Sequence, residues 1–335
     1  MAVNRQSAVT LPASLRELLA DSWDAFTAAS QEAQCPLPRN PDFTASMMRV
    51  WACSDFAMQT CIRNPALLSG LLGNGDLLAD YASGEYQRKL EGLLRDVVDV
   101  SELGEQLRLF RQQQMLRIAW RDLAGWASLD EVLHDLSALA DACISTALDW
   151  LGRQALQRLG VPAGKFRPGL VVLGMGKLGA CELNFSSDID LIFAYPDGEP
   201  VWKKCRETPE QFYLQLGQQL IRTLDEQTEH GFVFRVDMRL RPYGDSGSLV
   251  ANFDALADYY QSQGREWERY AMIKARPVAG PEKPAGQLMK LLQPFVYRRY
   301  LDFGAFDSLR SLKEQIVREV ERKAMQDNVK LGPGG

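Results

Sequence analysis

Asp188 and Asp190 stand two apart in the run Ser186-Ser187-Asp188-Ile189-Asp190. Alternate side chains of a strand share a face, so the two carboxylates can hold one hard cation between them. A third acid, Asp237, falls in Arg235-Val236-Asp237-Met238-Arg239, on the face that also carries Arg235, Arg239 and Arg241. Three carboxylates on neighbouring strands suit the two-metal arrangement for phosphoryl and nucleotidyl transfer. There the ions activate the attacking oxygen and steady the leaving one, and the protein does little covalent chemistry. The bland alternative is that Asp-x-Asp at a strand end is only a solvated edge. A glycine-rich turn upstream and the arginines around Asp237 favour the chemical reading.

That turn, Gly174-Met175-Gly176-Lys177-Leu178-Gly179, follows the apolar run Gly169-Leu170-Val171-Val172-Leu173, which reads as a strand buried on both faces. The turn matches the dinucleotide-binding pattern G-x-G-x-x-G letter for letter. Two features oppose that reading. About eight residues separate Gly179 from Asp188, too few for a crossover helix, and the acidic doublet opens the next strand where the ribose-binding acid should close it. A Walker A loop fails because Leu178, not serine or threonine, follows Lys177. Residues 263–276 read as a basic and aromatic helix from which Arg265, Arg269 and Lys274 could reach a phosphate. The alternative there is a solvated face with internal Glu–Arg pairs. Arg111, Arg117 and Arg121 are expected to be exposed and uninvolved, and His230 incidental.

Positioning these groups falls to two kinds of element. Residues 11–160 are helically patterned almost throughout. Leu15, Leu18, Leu19, Trp23 and Phe26 form one apolar stripe, and Ser128-Leu129-Asp130-Glu131 has capping-box spacing. That box opens a long helix with the stripe Leu133, Leu136, Leu139, Ala140, Cys143, Ala147 and Leu151, stopped by Gly160-Val161-Pro162. Past Pro168 the period changes. Strands are expected at 169–173, 188–195 and 232–241, the last with strict alternation, and a helix at 207–227. Pro242-Tyr243-Gly244-Asp245-Ser246-Gly247 is a turn-rich loop. Helical patterning returns near Phe253 and again from Ser308, where Leu309, Leu312, Ile316 and Val320 make the stripe and Glu319 and Lys323 have ion-pair spacing. The expected organisation is a helical region at 1–165, a catalytic domain at 166–282, and a helical segment at 283–335 that reads as cut short.

The bulk numbers allow this and narrow it. Of 335 residues, 46% are hydrophobic and 24% charged, an ordinary soluble composition. A net charge of −5 draws in no polynucleotide, so no nucleic-acid partner is expected. No run approaches the roughly 20 apolar residues of a membrane span, and the N-terminus lacks signal-peptide layout. Cys35, Cys53, Cys61, Cys143, Cys181 and Cys205 are scattered, which points to a reducing, cytoplasmic setting. With only His134 and His230, a histidine-rich zinc site is not expected.

The glycine turn, the stretch from Glu182 to Phe193, the run Arg235 to Pro242 and the stretch Gly264 to Arg276 together resemble the signature of the bacterial glutamine-synthetase adenylyltransferase family. Ala180 departs from it where the family commonly has glycine. The resemblance implies an α+β fold, with a DNA polymerase β-like nucleotidyltransferase domain of small mixed sheet and helices embedded in a largely helical chain. Family members carry two such domains, one removing AMP from a glutamine synthetase tyrosine and one adding it. The wording Asn184-Phe185-Ser186-Ser187 and Val236-Asp237-Met238-Arg239 resembles the adenylyl-removing copy. The implied reaction is phosphorolysis, with phosphate in and ADP out. Asp188, Asp190 and Asp237 then match the catalytic, metal-binding carboxylates for two Mg²⁺ ions. Gly174, Gly176, Lys177, Gly179, Ser186, Ser187, Arg239, Arg241 and Lys274 would bind nucleotide or phosphate. Implied partners are adenylylated glutamine synthetase, a nitrogen-status signal protein of the PII type, and glutamine as an effector. The same site run forward with ATP, or a regulatory nucleotide-sensing and docking module, are the competing readings.

Overall fold

The computed structural model describes residues 13–162, 166–198, 202 and 207–297, with 310, 311, 313–315, 317, 318 and 322 beyond them. The chain divides into two units. One comprises Met1–Ala147, Cys181–Ser187 and Ile221–Arg235; the other comprises Leu148–Ala180, Asp188–Leu220 and Val236–Gly335.

The first unit is built on helices α1 (Ala13–Glu32), α2 (Pro41–Cys53), α3 (Asp55–Arg63), α4 (Pro65–Gly73), α5 (Glu85–Leu93), α6 (Val100–Ala124) and most of α7 (Leu129–Arg158). Local chemistry sets their ends. The Asp99 carboxylate accepts from Glu102 N at 2.9 Å to start α6, and Gly125, at φ 72°, ends it in the left-handed conformation. Leu19, Phe26, Phe43, Trp51, Leu68 and Trp120 fill the core between α1, α2, α3, α4 and α6. The expected stripe on α1 holds at Leu19 and Phe26, whereas Leu18 is exposed.

The expectation of exposed arginines on α6 is overturned. Arg117 is wholly buried: Nη1 lies 2.8 Å from Asp135 and Nε donates to Asp76 O at 3.0 Å. Arg121 is buried as well and donates to Leu78 O at 2.7 Å and to Glu131. Arg111 is half-buried. A helix packed on several sides has no free face, and a guanidinium's five donors let it satisfy backbone carbonyls that such packing buries.

The second unit contains β1 (Val171–Gly174), the single turn α8 (Gly176–Gly179), β2 (Ile189–Tyr195), α9 (Pro209–Asp225, its last residues in the first unit), β3 (Val236–Asp237), β4 (Val250–Asn252), α10 (Phe253–Ser262), α11 (Glu266–Met272), β5 (Arg276–Ala279) and α12 (Glu282–Val296). The sheet order is β3-β2-β1-β5, with β4 also on β2. β1 is antiparallel to both β2 and β5; β3 and β4 run parallel to β2, at its two ends. All four residues of β1 are buried. On one side Val171, Leu173 and Ile192 join Leu256, Leu288 and Leu292 of α10 and α12. On the other, α9 lies so close at Gly217 that a Cβ there would stand 2.9 Å from the Phe193 ring. The mixed sheet within a largely helical chain is the α+β architecture expected for a nucleotidyltransferase domain.

Several expectations change. The strand at 232–241 shrinks to Val236–Asp237. Val233 N and Phe234 N donate to Leu224 O at the end of α9, and residues 238–241 close a turn through Arg241 N to Met238 O at 3.2 Å. The helix at 263–276 ends at Met272, since Arg276 enters β5. Strands β4 and β5 were not anticipated: each is too short to show alternation. The antiparallel β1–β2 pair also removes the dinucleotide-binding reading, which needs parallel strands joined by a crossover helix. The expected stripe and ion pair beyond Ser308 lie outside the described residues, as does Cys205. No described helix is long and apolar enough to cross a membrane.

Candidate active site

Asp188 immediately precedes β2 and Asp190 is its second residue, both half-buried. Parallel pairing sets Ile189 opposite Val236 and Asp190 opposite Asp237. Neighbours on one rung of a sheet point to the same side, so Asp190 and Asp237 share a face. The sequence-predicted acids are thus placed on adjoining positions of two strands.

The Asp237 carboxylate is held by Arg239. Oδ1 accepts from Arg239 N at 2.8 Å and from Nε at 3.1 Å; Oδ2 accepts from Nε at 2.9 Å and from Nη2. These hydrogen bonds, and then the carboxylate's charge, raise the already high pKa of the exposed Arg239 guanidinium. Asp237 keeps a side-chain exposure of 16%, against 74% for Arg239, so the clasp covers the acid from the solvent side. Three carboxylates are the oxygen donor set that Mg²⁺ prefers, and the strand register brings two of them side by side. With Asp237 turned onto Arg239, no three His, Cys, Asp or Glu side chains among the described residues are grouped as metal ligands. A cation shared by all three aspartates would compete with Arg239 for the Asp237 oxygens.

The glycine turn is fitted to this edge by shape. Met175 N donates to Asp190 O at 2.9 Å, and a Cβ on Gly176 (φ 53°) would stand 3.1 Å from Asp190 Oδ2. The carboxylate consequently rests over a backbone that only glycine leaves open. Gly174 packs on Val278, and a Cβ on Gly179 would meet Lys274 O at 2.1 Å. Gly179 N donates to Met175 O within the turn, so this glycine contributes close approach, not a hydrogen bond to a ligand. Arg276, which sequence reasoning passed over, donates to Leu178 O at 3.1 Å and to Gly179 O at 3.4 Å, clasping the turn from β5. An arginine inside a short apolar run carries no signal of its own; the strand pairing reveals it. Lys177 is half-buried and Lys274 exposed.

Arg241 is committed elsewhere. Its guanidinium donates to Met238 O at 2.8 Å, Asp245 O at 3.3 Å and Gly247 O at 3.4 Å, and ties down the 242–247 loop. That loop carries Tyr243 at φ 60°, a conformation that costs a non-glycine residue energy. A cavity of about 370 Å³ opens between Arg239, Tyr243, Tyr259, Arg265, Trp267 and Glu268. Glu268 is buried and accepts from Tyr259 OH at 2.8 Å and from Arg265 N at 2.8 Å. Burial, with Glu268 beside it, raises the Tyr259 pKa. Arg269 pairs with Glu266 at 2.6 Å, the internal Glu–Arg pairing weighed as the bland alternative.

Ser186 and Ser187 belong to the other unit, in the segment that runs into Asp188. Ser187 Oγ donates to Asn184 Oδ1, and Ser186 O accepts from Arg235 Nη2 at 3.3 Å.

A profile of the glutamate-ammonia ligase adenylyltransferase family matches residues 44–290. The chain is similar to a bifunctional glutamine synthetase adenylyltransferase/adenylyl-removing enzyme of Nitrosococcus oceani, 51% identical over 329 residues, which is 97% of this chain and 34% of the relative. The protein of the same name from Pseudomonas aeruginosa is 53% identical over 317 residues, 93% of this chain and 32% of the relative. That of Thioalkalivibrio sulfidiphilus is 50% identical over 334 residues, 99% and 34% respectively. The chain spans about a third of the length of these relatives.

Proposed function

This chain belongs to the glutamate-ammonia ligase adenylyltransferase family, and we propose that it removes AMP from an adenylylated tyrosine of glutamine synthetase by phosphorolysis. The observation that carries the proposal is the pairing of Asp190 with Asp237 across β2 and β3, with Asp188 two residues before Asp190. Such a pair of acidic strand ends serves phosphorus chemistry, in which positioning and charge neutralisation account for most of the catalysis.

An oxygen of orthophosphate attacks the α-phosphorus of the tyrosyl-AMP ester. The bond from that phosphorus to the phenolic oxygen breaks, ADP is released, and the tyrosine oxygen takes up the proton the phosphate carried. Orthophosphate is already nucleophilic at neutral pH, so no general base is needed. Asp188, Asp190 and Asp237 are the residues that would hold two Mg²⁺ ions, whose charge when bound neutralises the phosphate oxyanions. Gly174, Gly176 and Gly179 shape the turn against which the nucleotide lies, with Lys177 supplying positive charge beside it. Ser186 and Ser187 offer hydroxyls to phosphate oxygens. Arg239 supplies a charge for the incoming phosphate, and the exposed Lys274 would supply a second. Arg241 acts by holding the loop that follows Asp237.

The direction is read from motif wording, Asn184 to Ser187 and Val236 to Arg239, which resembles the adenylyl-removing copy. The relatives' shared name includes both activities, so ATP-dependent adenylylation by the same site is the second reading. In the whole protein, a signal protein of the PII type and glutamine would set the balance. The deciding assay incubates the chain with adenylylated glutamine synthetase, Mg²⁺ and phosphate and follows ADP. ADP that appears only with both phosphate and Mg²⁺ supports removal. AMP transfer from ATP to unmodified synthetase, with no ADP in the first assay, reverses the direction.

A further inference from the structure

A second cavity, of about 170 Å³, lies wholly within the helical unit, between α6, α7 and the segments 183–187 and 232–235. That is below the roughly 300–1,000 Å³ usual for a whole small molecule, and suits a single polar group. Arg111 and Arg235 line it, together with Asn184, Ser186, Ser187 and six apolar residues, and no acidic residue is among the described residues that line it. Arg111 lies over the rings of Phe232 and Phe234, with its guanidinium carbon 5.1 and 5.6 Å from their centroids, and Arg235 sits 5.8 Å from the Phe232 centroid. The Arg111 Nε is shielded from solvent and has no hydrogen-bond partner among the described residues. Burial pulls the Arg111 pKa down, and the neighbouring Arg235 charge lowers it further.

The largely desolvated Arg111 charge, with its Nε unsatisfied and a second guanidinium nearby, is raised in energy by burial, and an anion in the cavity relieves it. Arginine's planar fork and the serine hydroxyls match the tetrahedral oxygens of phosphate. We propose that this cavity between Arg111, Arg235 and the 184–187 loop is a seat for a phosphate group, as orthophosphate or as the terminal phosphate of ADP. The phosphorolytic reading supplies the identity of the anion; the cavity's charge and shape do not depend on it. The seat also gives Ser186 and Ser187 a common role, since the loop that lines it continues by one peptide bond into Asp188.

The test is calorimetric titration of the whole chain with sodium phosphate, ADP and AMP, without Mg²⁺ and at constant ionic strength. Wild-type chain is expected to bind phosphate, and Arg111→Gln and Arg235→Gln to weaken that binding about tenfold or more, the scale of losing a charge-assisted contact. Arg235 is exposed, so Arg235→Gln should fold even if Arg111→Gln does not, and far-ultraviolet circular dichroism checks both. Weakened binding of phosphate alone identifies free phosphate as the ligand. Weakened binding of ADP but not AMP identifies the terminal phosphate of the nucleotide. Wild-type affinity in both variants, equal weakening for AMP, or binding of neither phosphate nor ADP by the wild-type chain overturns the proposal. Phosphate binding that depends on Arg111 and Arg235 in a chain inactive in phosphorolysis would leave the seat standing and sink the reaction assigned above.

Discussion

Asp190 and Asp237 occupy one rung of the parallel β2–β3 pair, and Arg239 clasps both oxygens of Asp237. The rung places the acids side by side, and the clasp keeps one of them engaged with a cation of the protein's own. Replacing Asp188 or Asp190 with asparagine is expected to lower ADP formation on the order of 100-fold or more, the scale of removing an electrostatic stabiliser. Thermal stability should be unchanged or raised, because fewer negative charges then crowd the strand ends. Activity retained near the wild-type level at saturating Mg²⁺ would remove these acids from the chemistry.

A metal ion held by Asp237, as proposed, would have to compete with Arg239 for that carboxylate. Arg239→Ala is therefore expected to tighten Mg²⁺ binding, measured by calorimetry without substrate, while raising the KM for phosphate. Unchanged Mg²⁺ affinity would mean that the clasp does not guard the acid.

Gly179 and Gly176 should separate stability from activity. A Cβ on Gly179 would sit 2.1 Å from the Lys274 carbonyl oxygen, a backbone atom that cannot rotate away. Gly179→Ala is expected to cost about 1–3 kcal/mol or more in urea unfolding. In Gly176→Ala the new methyl meets only the Asp190 carboxylate, at 3.1 Å, with left-handed strain of about 1–2 kcal/mol. Its larger effect should fall on kcat, through displacement of Asp190.

Arg117 tests the helical unit. Arg117→Met leaves Asp135 buried without its cation and the carbonyls of Asp76 and Ala79 without their donor. A loss of about 3–5 kcal/mol is expected in urea unfolding, the usual scale for breaking a buried pair from one side. A loss below 1 kcal/mol would show that water replaces the guanidinium at no great penalty.

Burial pushes the thiols of Cys61 and Cys143 up from 9.0 to about 12. The folded protein keeps both protonated while the unfolded chain ionises near pH 9, so above that pH the native state binds more protons. Their contribution is fully present below pH 9 and is lost as pH rises towards 12, at up to about 1.4 kcal/mol per pH unit for each thiol. Urea midpoints taken at pH 8, 9 and 10 should fall, and Cys143→Ala should flatten the decline. Equal slopes in wild type and variant would contradict the assignment.

Much of this was legible in the residues. The doublet Asp188 and Asp190 shares a face because alternation is a property of any strand, whatever its neighbours. Gly174 to Gly179 announces a tight backbone, and the long stripe from Leu136 to Leu151 announces α7, since both are local patterns. The two-residue β3, the short β4 and β5, and the early end of α11 escaped notice because each is set by a hydrogen bond or packing contact to a distant segment. Leu224 O, for example, takes the N–H groups that would have extended β3.

The chemistry of the candidate site, three acids with a glycine turn and arginines, was written in residue types and short spacings. Its geometry came from elsewhere. That β1 runs antiparallel to β2, that Asp190 meets Asp237 and not another residue, that Arg276 reaches back to the glycine turn, and that Arg117 and Arg121 lie inside rather than outside all depend on segments far apart in the chain. Local pattern is enforced by the backbone at each residue, whereas register and burial emerge only when long loops close and distant strands and helices compete for the same hydrogen bonds and the same apolar surface.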